Sequence, residues 1–226
     1  MQILIVAATS GELAPLVAQL GLASPRGAGL HRFKHAAHTV DVLITGVGMV
    51  ATAALCSRAL AHTPYHVALN VGVCGTFDPA LAPGTVVHVV SDRIAELGAE
   101  DGDRFLTIQE MDLLDPNEPP FTDGALVNAA PPVNPALDAL PAVRGITVNT
   151  VHGNARSITA VRQRFNPQVE TMEGAAFMYA CLVQGVAFAQ VRGVSNMVDI
   201  RNRENWKLAD AISGASEIAL SILDHA

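Results

Sequence analysis

The sequence is poor in basic residues, in aromatic residues and in long apolar runs. The scarcity of basic residues and the lack of long apolar runs each exclude one class of partner. Only 14 of the 226 residues are Lys or Arg, against 21 Asp or Glu, so the formal net charge is -7. A surface that binds nucleic acid needs clustered positive charge against the phosphates, so we expect no nucleic-acid partner. No apolar run approaches the roughly 20 residues that cross a bilayer, so we expect no membrane association.

Cysteine is also scarce. Cys56, Cys74 and Cys181 are odd in number and do not have the spacing of metal ligands, which is typical of reduced thiols inside a cell. The first residues include an apolar run, but they contain no Lys or Arg before Arg26 and they include Glu12. This pattern is unlike a signal peptide. We therefore expect a cytoplasmic protein.

Half of the residues are apolar, which suffices for one sizeable core. Short runs of Ile, Val and Leu alternate with longer helical patterns. Strands are predicted at 3–8, 40–45, 67–71, 85–90, 146–151, 169–172 and 186–194, and helices at 12–20, 49–62, 174–183 and from 208 onward. Because the strands are nearly continuous apolar runs, both faces of their sheet should be covered. The sequence predicts a single α/β domain over residues 1–226.

Seven of the thirteen prolines lie between residues 111 and 141. Proline fixes φ and lacks an amide donor, so this stretch cannot be a central strand. We interpret it as a long excursion from the domain, serving as a lid or as a subunit contact.

Two local patterns suggest a cofactor site or a metal site, but a purely structural role explains each of them better. Gly46-Val-Gly48 follows a predicted strand, yet no acidic residue ends the next strand as a dinucleotide site requires. A tight turn explains these glycines better. His31, His35 and His38 lead into a strand without a carboxylate or thiol beside them, which favours a solvated hairpin. We expect neither a cofactor nor a metal.

Three polar residues lie where predicted strands end, at the edge where α/β sheets gather their active sites. Glu12 follows Thr9 by three residues, so the pair could instead form a capping box. Glu173 precedes a helix, where an acid also favours the helix dipole. Asn196 ends the strand at 186–194, where asparagine is commonly a turn former. Each residue alone allows the structural role as well as the functional one.

The order of these segments resembles that of the bacterial methylthioadenosine and adenosylhomocysteine nucleosidases, within the purine nucleoside phosphorylase superfamily. The matching pieces are the first strand with Glu12, the Gly46-Val-Gly48 turn, Asn70-Val-Gly-Val-Cys74-Gly75, Met172-Glu173-Gly-Ala-Ala and Arg192-Gly-Val-Ser195-Asn196. The continuation from Asp199 to Leu208 is similar to the futalosine hydrolase branch. The resemblance implies a three-layer α/β/α sandwich around a twisted mixed sheet, and a homo-oligomer, with a dimer favoured.

The resemblance also implies roles for particular residues. Glu12 would deprotonate the attacking water, which needs a carboxylate within hydrogen-bond reach. Glu173 would accept hydrogen bonds from the ribose hydroxyls and favour the oxocarbenium-like transition state, and Met172 would contact the sugar face. Cys74, Gly75 and Ser157 fall at further positions that line the nucleoside in that family.

Asn196 departs from the adenine-specific members, which have Asp at this position. A side-chain amide can donate to a 6-oxo group and accept from a protonated N7, so it predicts a 6-oxopurine such as hypoxanthine. The nucleoside would then be futalosine, with Arg201 or Arg203 binding its carboxylate. Hydrolysis is favoured over phosphorolysis because the loops that bind phosphate in phosphorylases lack an Arg and a hydroxyl here.

Two alternatives stay open at this point. One is a hydrolase or phosphorylase of another nucleoside, such as inosine or methylthioadenosine. The other is a nucleoside-binding protein of the same fold without turnover.

Overall fold

The computed structural model describes residues 1–21, 29–200 and 202–226, and for residue 203 the backbone only. The strands are β1 (Gln2–Ala7), β2 (Gly29–His35), β3 (His38–Ile44), β4 (Val67–Thr76), β5 (Val86–Ile94), β6 (Gly98–Asp101), β7 (Arg104–Thr107), β8 (Phe121–Thr122), β9 (Ala125–Val127), β10 (Ala142–Thr147), β11 (Val169–Thr171) and β12 (Ala187–Met197). The helices are α1 (Ala14–Gln19), α2 (Met49–His62), α3 (Pro135–Asp138), α4 (Ala155–Phe165), α5 (Gly174–Gln184) and α6 (Leu208–Asp224).

Ten strands form one mixed sheet in the order β2-β3-β1-β4-β11-β10-β5-β9-β8, and β12 pairs with both β4 and β5. The pairs β1–β3, β1–β4, β4–β12, β5–β10 and β10–β11 are parallel, whereas β11 runs antiparallel to β4 and β12 runs antiparallel to β5. Strands β4, β12, β5, β10 and β11 therefore close into a ring, which brings their ends together around one point.

Helices cover the sheet on both sides. One face packs against α1, α3 and α6, because Leu16, Leu137 and Ala219 share a buried cluster with Ile5 and Val42. The other face packs against α2 and α5 through residues such as Cys56 and Phe177. Burial of these apolar faces drives the assembly. The predicted three-layer α/β/α fold with a mixed sheet is confirmed.

Several predicted elements match the structure closely. Helix α2 covers the predicted 49–62, and α6 packs its apolar face, including the fully buried Ala211, Ala215 and Ala219, on the sheet. Residues 29–44 form the predicted hairpin, with His35 opposite His38. Gly46 and Gly48 have φ angles of 85° and 97°, which favour glycine, so the tight turn is confirmed.

The segment at 111–141 belongs to the edge of the sheet. Strand β9 pairs with β5, strand β8 pairs with β9, and α3 packs beside α6. Leu126 and Leu137 are buried, so part of this proline-rich stretch completes the core. Three further elements, the β6–β7 hairpin and α4, have no counterpart in the sequence-based prediction.

Candidate active site

A cavity of about 450 Å³, called the main cavity below, opens at the carboxyl ends of β1, β4, β11 and β12. Its lining includes Glu12, Cys74, Gly75, Met172, Glu173 and Asn196. Six of the nine site residues expected from the sequence therefore meet at one place. None of the residues that line this cavity comes from 111–141.

Glu12 lies in the turn between β1 and α1. Its Oε2 accepts hydrogen bonds from the Thr9 amide at 2.9 Å and from the Thr9 hydroxyl at 3.1 Å, and its own amide donates to the Thr9 hydroxyl at 3.4 Å. These are the reciprocal contacts of a capping box, but α1 begins only at Ala14. The other oxygen, Oε1, accepts from the Val73 amide at 3.4 Å. The carboxylate is thus held by one oxygen, and the other faces β4.

Glu173 is buried at the junction of β11 and α5, with an exposure of 6%. Its Oε1 accepts a hydrogen bond of 2.9 Å from the Gly48 amide, in the glycine turn before α2. Burial raises the pKa of Glu173, and the nearby Glu12 carboxylate adds to this, while Arg192 and the Gly48 amide oppose it. The amide of the glycine turn therefore holds the Glu173 carboxylate.

Arg192 is fully buried in the middle of β12, with its guanidinium near the Gly72 position that the Glu12 carboxylate also approaches. Its guanidinium donates to Oε1 of Gln190 at 3.1 Å and to Oδ1 of Asn70, and Gln190 in turn donates to Asp92 at 3.3 Å. Buried arginine is rare unless it is paired. No role for this residue was expected from the sequence, although an arginine inside an apolar strand is a visible signal.

Gly72 of β4 explains how Arg192 and Glu12 approach each other. A Cβ atom at this position would lie 2.5 Å from Nη1 of Arg192 and 2.6 Å from Oε1 of Glu12. The missing side chain therefore leaves room for a cation beneath the Glu12 carboxylate.

Asn196 lies at the end of β12 with part of its hydrogen-bonding capacity used. Its Oδ1 accepts from the Ser195 hydroxyl at 2.7 Å, and its Nδ2 donates to the Met197 carbonyl at 2.8 Å. An amide has two donors and two acceptor sites. One N–H and one oxygen lone pair remain for a ligand.

Cys74 lines the cavity as a neutral thiol, because burial raises its pKa to about 12. Gly75 lies beside it, and a Cβ atom there would come within 2.8 Å of Val198 and 3.5 Å of Nδ2 of Asn196. Gly75 thus keeps the space next to the amide open.

A second cavity of about 310 Å³, the side cavity, adjoins the first and shares Gly75, Val151, Glu170, Asn196 and Trp206 with it. Here Nδ1 of His152 bonds the Glu170 carboxylate, and the His152 amide donates to Oε1 of Glu170 at 2.9 Å. The Glu170 side chain is only 3% exposed. This pair was not among the site residues expected from the sequence.

Of the other three expected site residues, one lies elsewhere and two are not described. Ser157 is in the first turn of α4, donates to the Asn154 carbonyl at 3.0 Å and lines a different, more open cavity between α4 and the β6–β7 hairpin. Arg201 and the side chain of Arg203 lie outside the part of the chain that the structure describes.

Within residues 1–21, 29–200 and 202–226, no cluster of His, Cys, Asp and Glu could hold a metal ion. Over the same ranges, no helix is long and apolar enough to cross a membrane. The charged side chains described in the lining of the main cavity are the carboxylates Glu12, Glu170 and Glu173, without a Lys or Arg.

Residues 2–225 match the model of the phosphorylase superfamily. The chain belongs to the phosphorylase superfamily. Among curated members of known activity, it is 32% identical over 223 residues to the futalosine hydrolase of Acidothermus cellulolyticus, covering 92% of this chain and 85% of that one. It is 31% identical over 185 residues to the futalosine hydrolase of Streptomyces coelicolor, covering 78% and 75%. The resemblance to futalosine hydrolases is confirmed, and these members support the assignment of an N-glycosyl hydrolase.

Solved structures in the superfamily have the same fold. A methylthioadenosine/adenosylhomocysteine nucleosidase of Colwellia psychrerythraea in complex with adenine has a TM-score of 0.79 at 21% identity, covering 100% of this chain and 95% of that one. The futalosine hydrolase of Helicobacter pylori has a TM-score of 0.81 at 15% identity, with 100% and 98% covered. At such identities the likeness establishes the fold alone.

Proposed function

We propose that this chain hydrolyses futalosine to hypoxanthine and dehypoxanthine futalosine, a step of menaquinone biosynthesis. The observation that carries the proposal is the meeting of two carboxylates, Glu12 and Glu173, with the Asn196 amide around one cavity at the strand ends. Base removal needs a group to activate water, a group to stabilise a cationic sugar and a group to bind the departing base. The cavity contains one of each.

Glu12 is the general base. Its Oε2 is fixed by Thr9, while its Oε1 carries only a long contact of 3.4 Å to the Val73 amide, which leaves it able to bind a water. The Arg192 guanidinium lies near the same Gly72 position as this oxygen. This carboxylate takes the proton from water as the water attacks C1′.

Glu173 binds the ribose. Its Oε1 is anchored to the Gly48 amide, and the carboxylate accepts hydrogen bonds from the 2′- and 3′-hydroxyls. Its negative charge, in a buried site of low dielectric, stabilises the developing positive charge on the sugar. Met172, the preceding residue in the lining, packs against the sugar face.

Asn196 recognises the base. Its remaining N–H donates to the 6-oxo group, and the remaining lone pair of Oδ1 accepts from a protonated N7. Adenine would present a second donor to the amide N–H and leave a polar group unpaired, which strongly disfavours it.

Water, and not phosphate, is the nucleophile. The three carboxylates that line the main cavity would repel a phosphate dianion, and no Lys or Arg among the described lining residues would bind it. The curated members of at least 30% identity are named as hydrolases as well.

The test is to incubate the purified protein with futalosine, inosine and methylthioadenosine, with and without phosphate, and to quantify the free base. We expect hypoxanthine from futalosine at a rate independent of phosphate. A phosphate requirement, or faster release of adenine from methylthioadenosine, would overturn the proposal. Binding of futalosine without release of base would instead favour a nucleoside-binding protein of the same fold.

We further propose a homodimer in the cytoplasm. The free cysteines Cys56, Cys74 and Cys181 support a reducing compartment. Val47 and Val50, at the start of α2 beside the main cavity, are 58% and 82% exposed, which supports a contact between subunits there. Sedimentation velocity measures the oligomeric state directly.

A further inference from the structure

The departing hypoxanthine needs a proton that Asn196 cannot supply. When the C1′–N9 bond breaks, its electron pair goes to the base, and protonation of N7 makes the base a better leaving group. A side-chain amide can bind the product by hydrogen bonds, but it has no proton to transfer at neutral pH. Another group that faces the base must therefore act as the acid, if the base is the 6-oxopurine of the proposed function.

The side cavity contains one acid–base pair that the proposed function has not used, His152 and Glu170. Glu170 bonds both the ring and the backbone amide of His152, so the carboxylate holds the imidazole in one orientation. With Nδ1 engaged, the other ring nitrogen is Nε2, which has no hydrogen-bond partner in residues 1–21, 29–200 and 202–226. The edge of the ring also contacts Phe77, with 6.3 Å between centroids.

The pairing of the strands brings this pair next to Asn196. Glu170 on β11 and Asn196 on β12 are both opposite Gly75 of β4, one from each side. Gly75 itself contributes no side chain between the two residues, and the position of its missing Cβ atom is packed against Val198. The same cavity is lined by His152, Glu170 and Asn196. A purine held by Asn196 would thus lie against the His152 ring.

We infer that His152, held by Glu170, is the general acid that protonates the leaving base. The arrangement follows the principle by which a carboxylate at Nδ1 orients a histidine and stabilises its imidazolium, while Nε2 exchanges protons with the reacting group. Glu170 is then a positioning residue that acts through His152.

The proton on Nε2 of the His152 imidazolium moves to N7 as the C1′–N9 bond breaks and its electron pair goes to the base. The oxygen of water bonds to C1′ and its proton moves to Glu12. Neutral hypoxanthine leaves with its N7–H donated to Asn196, and solvent then takes the proton from Glu12 and returns one to His152.

The test compares two leaving groups in the full-length protein. Futalosine needs a proton on its base, whereas the phenolate of 4-nitrophenyl β-ribofuranoside leaves without one. In the variant His152→Gln, which keeps an N–H donor but cannot transfer a proton, we expect kcat/KM for futalosine to fall about 100- to 10,000-fold. In the same variant, kcat/KM for the nitrophenyl riboside should fall less than tenfold. Glu170→Gln should show the same pattern with a smaller loss, and His62→Gln, at the exposed end of α2, is the matched control.

A second measurement tests the same inference on futalosine alone. Imidazole added to His152→Ala should restore turnover, since the side cavity has room for it, and should leave His152→Gln unchanged. Equal losses with both leaving groups, or no rescue by imidazole, would overturn the inference while the proposed function stands. If the wild-type protein released no hypoxanthine from futalosine, the proposed function itself would fall, and the inference with it.

Discussion

Replacing Gly72 by alanine should impair activity by displacing the Glu12 carboxylate, and should also cost some stability. The added Cβ atom would lie 2.6 Å from Oε1 of Glu12 and 2.5 Å from Nη1 of Arg192, whereas ordinary contact begins at 3.4 Å. Arg192 is fully buried and bonded to Gln190 and Asn70, so it has little freedom to move. Glu12 is partly exposed in a turn, and its carboxylate must therefore retreat by about 0.8 Å.

The size of the effect follows from that displacement. A misplacement of about 1 Å in a reacting group costs about 100-fold in rate. We therefore expect kcat/KM for base release to fall about 100-fold in Gly72→Ala. Because Nη1 of the immobile Arg192 also lies 2.5 Å from the added Cβ atom, the free energy of unfolding should fall as well, by about 1 to 3 kcal/mol, the usual cost of overpacking.

The assay combines base-release kinetics with denaturant melts, and Gly214→Ala is the matched control. Its added Cβ atom would lie 2.9 Å from Cγ2 of Val86, in the packing of α6 and away from the site, so activity should stay within about twofold while stability responds. Adding Gly72→Ala to Glu12→Gln should cause little further loss, because the displaced group is already gone. A folded Gly72→Ala protein with kcat/KM within about threefold of wild type would refute the role of Glu12.

Three further predictions concern single carboxyl or amide groups. Asn196→Asp should raise kcat/KM for methylthioadenosine relative to futalosine by about tenfold or more, measured as adenine against hypoxanthine released. Burial raises the pKa of Glu173, and catalysis needs its ionised form. As the pH decreases, kcat should therefore fall with a midpoint above the ordinary pKa of glutamate. The variant Glu173→Gln should lose this limb of the pH–rate profile. Burial raises the pKa of Asp92 to about 7. As the pH rises from about 4 to 7, the unfolded state loses a proton that the folded state retains. The free energy of unfolding should therefore fall by up to about 4 kcal/mol over that rise in pH. Denaturant melts of the wild type and of Asp92→Asn measure this dependence, which should disappear in the variant.

The fold was predictable where local sequence and tertiary burial favour the same structure. Helix α2 was found with its bounds because a glycine turn precedes it and Thr63-Pro64 follows it. Strand β10 was predicted at 146–151 but lies at Ala142–Thr147. Its first half contains Arg144, which is exposed, and Gly145, so it lacks the continuous apolar run that marks the other strands.

The site was predictable only in part, for a related reason. Glu12, Glu173 and Asn196 each lie just after a predicted strand, so their place at the carboxyl edge of the sheet could be anticipated from local patterns. Arg192 and Gln190 lie inside such a run, and their partners Asn70 and Asp92 come from β4 and β5. Which buried polar side chains satisfy each other depends on the ring of strands, and no local pattern contains that information.

The His152–Glu170 pair illustrates this limit and gives the site its asymmetry. A doubly wound parallel sheet would align the carboxyl ends of all its strands, but β11 runs antiparallel to β4. This reversal puts Glu170 opposite Gly75 while Glu173, three residues later, already begins the turn into α5 and reaches the Gly48 amide. Two acids from one short segment therefore have different partners, the His152 ring for Glu170 and the Gly48 amide for Glu173. In the proposed mechanism this separation lets Glu173 act on the ribose while Glu170 positions His152 for the purine.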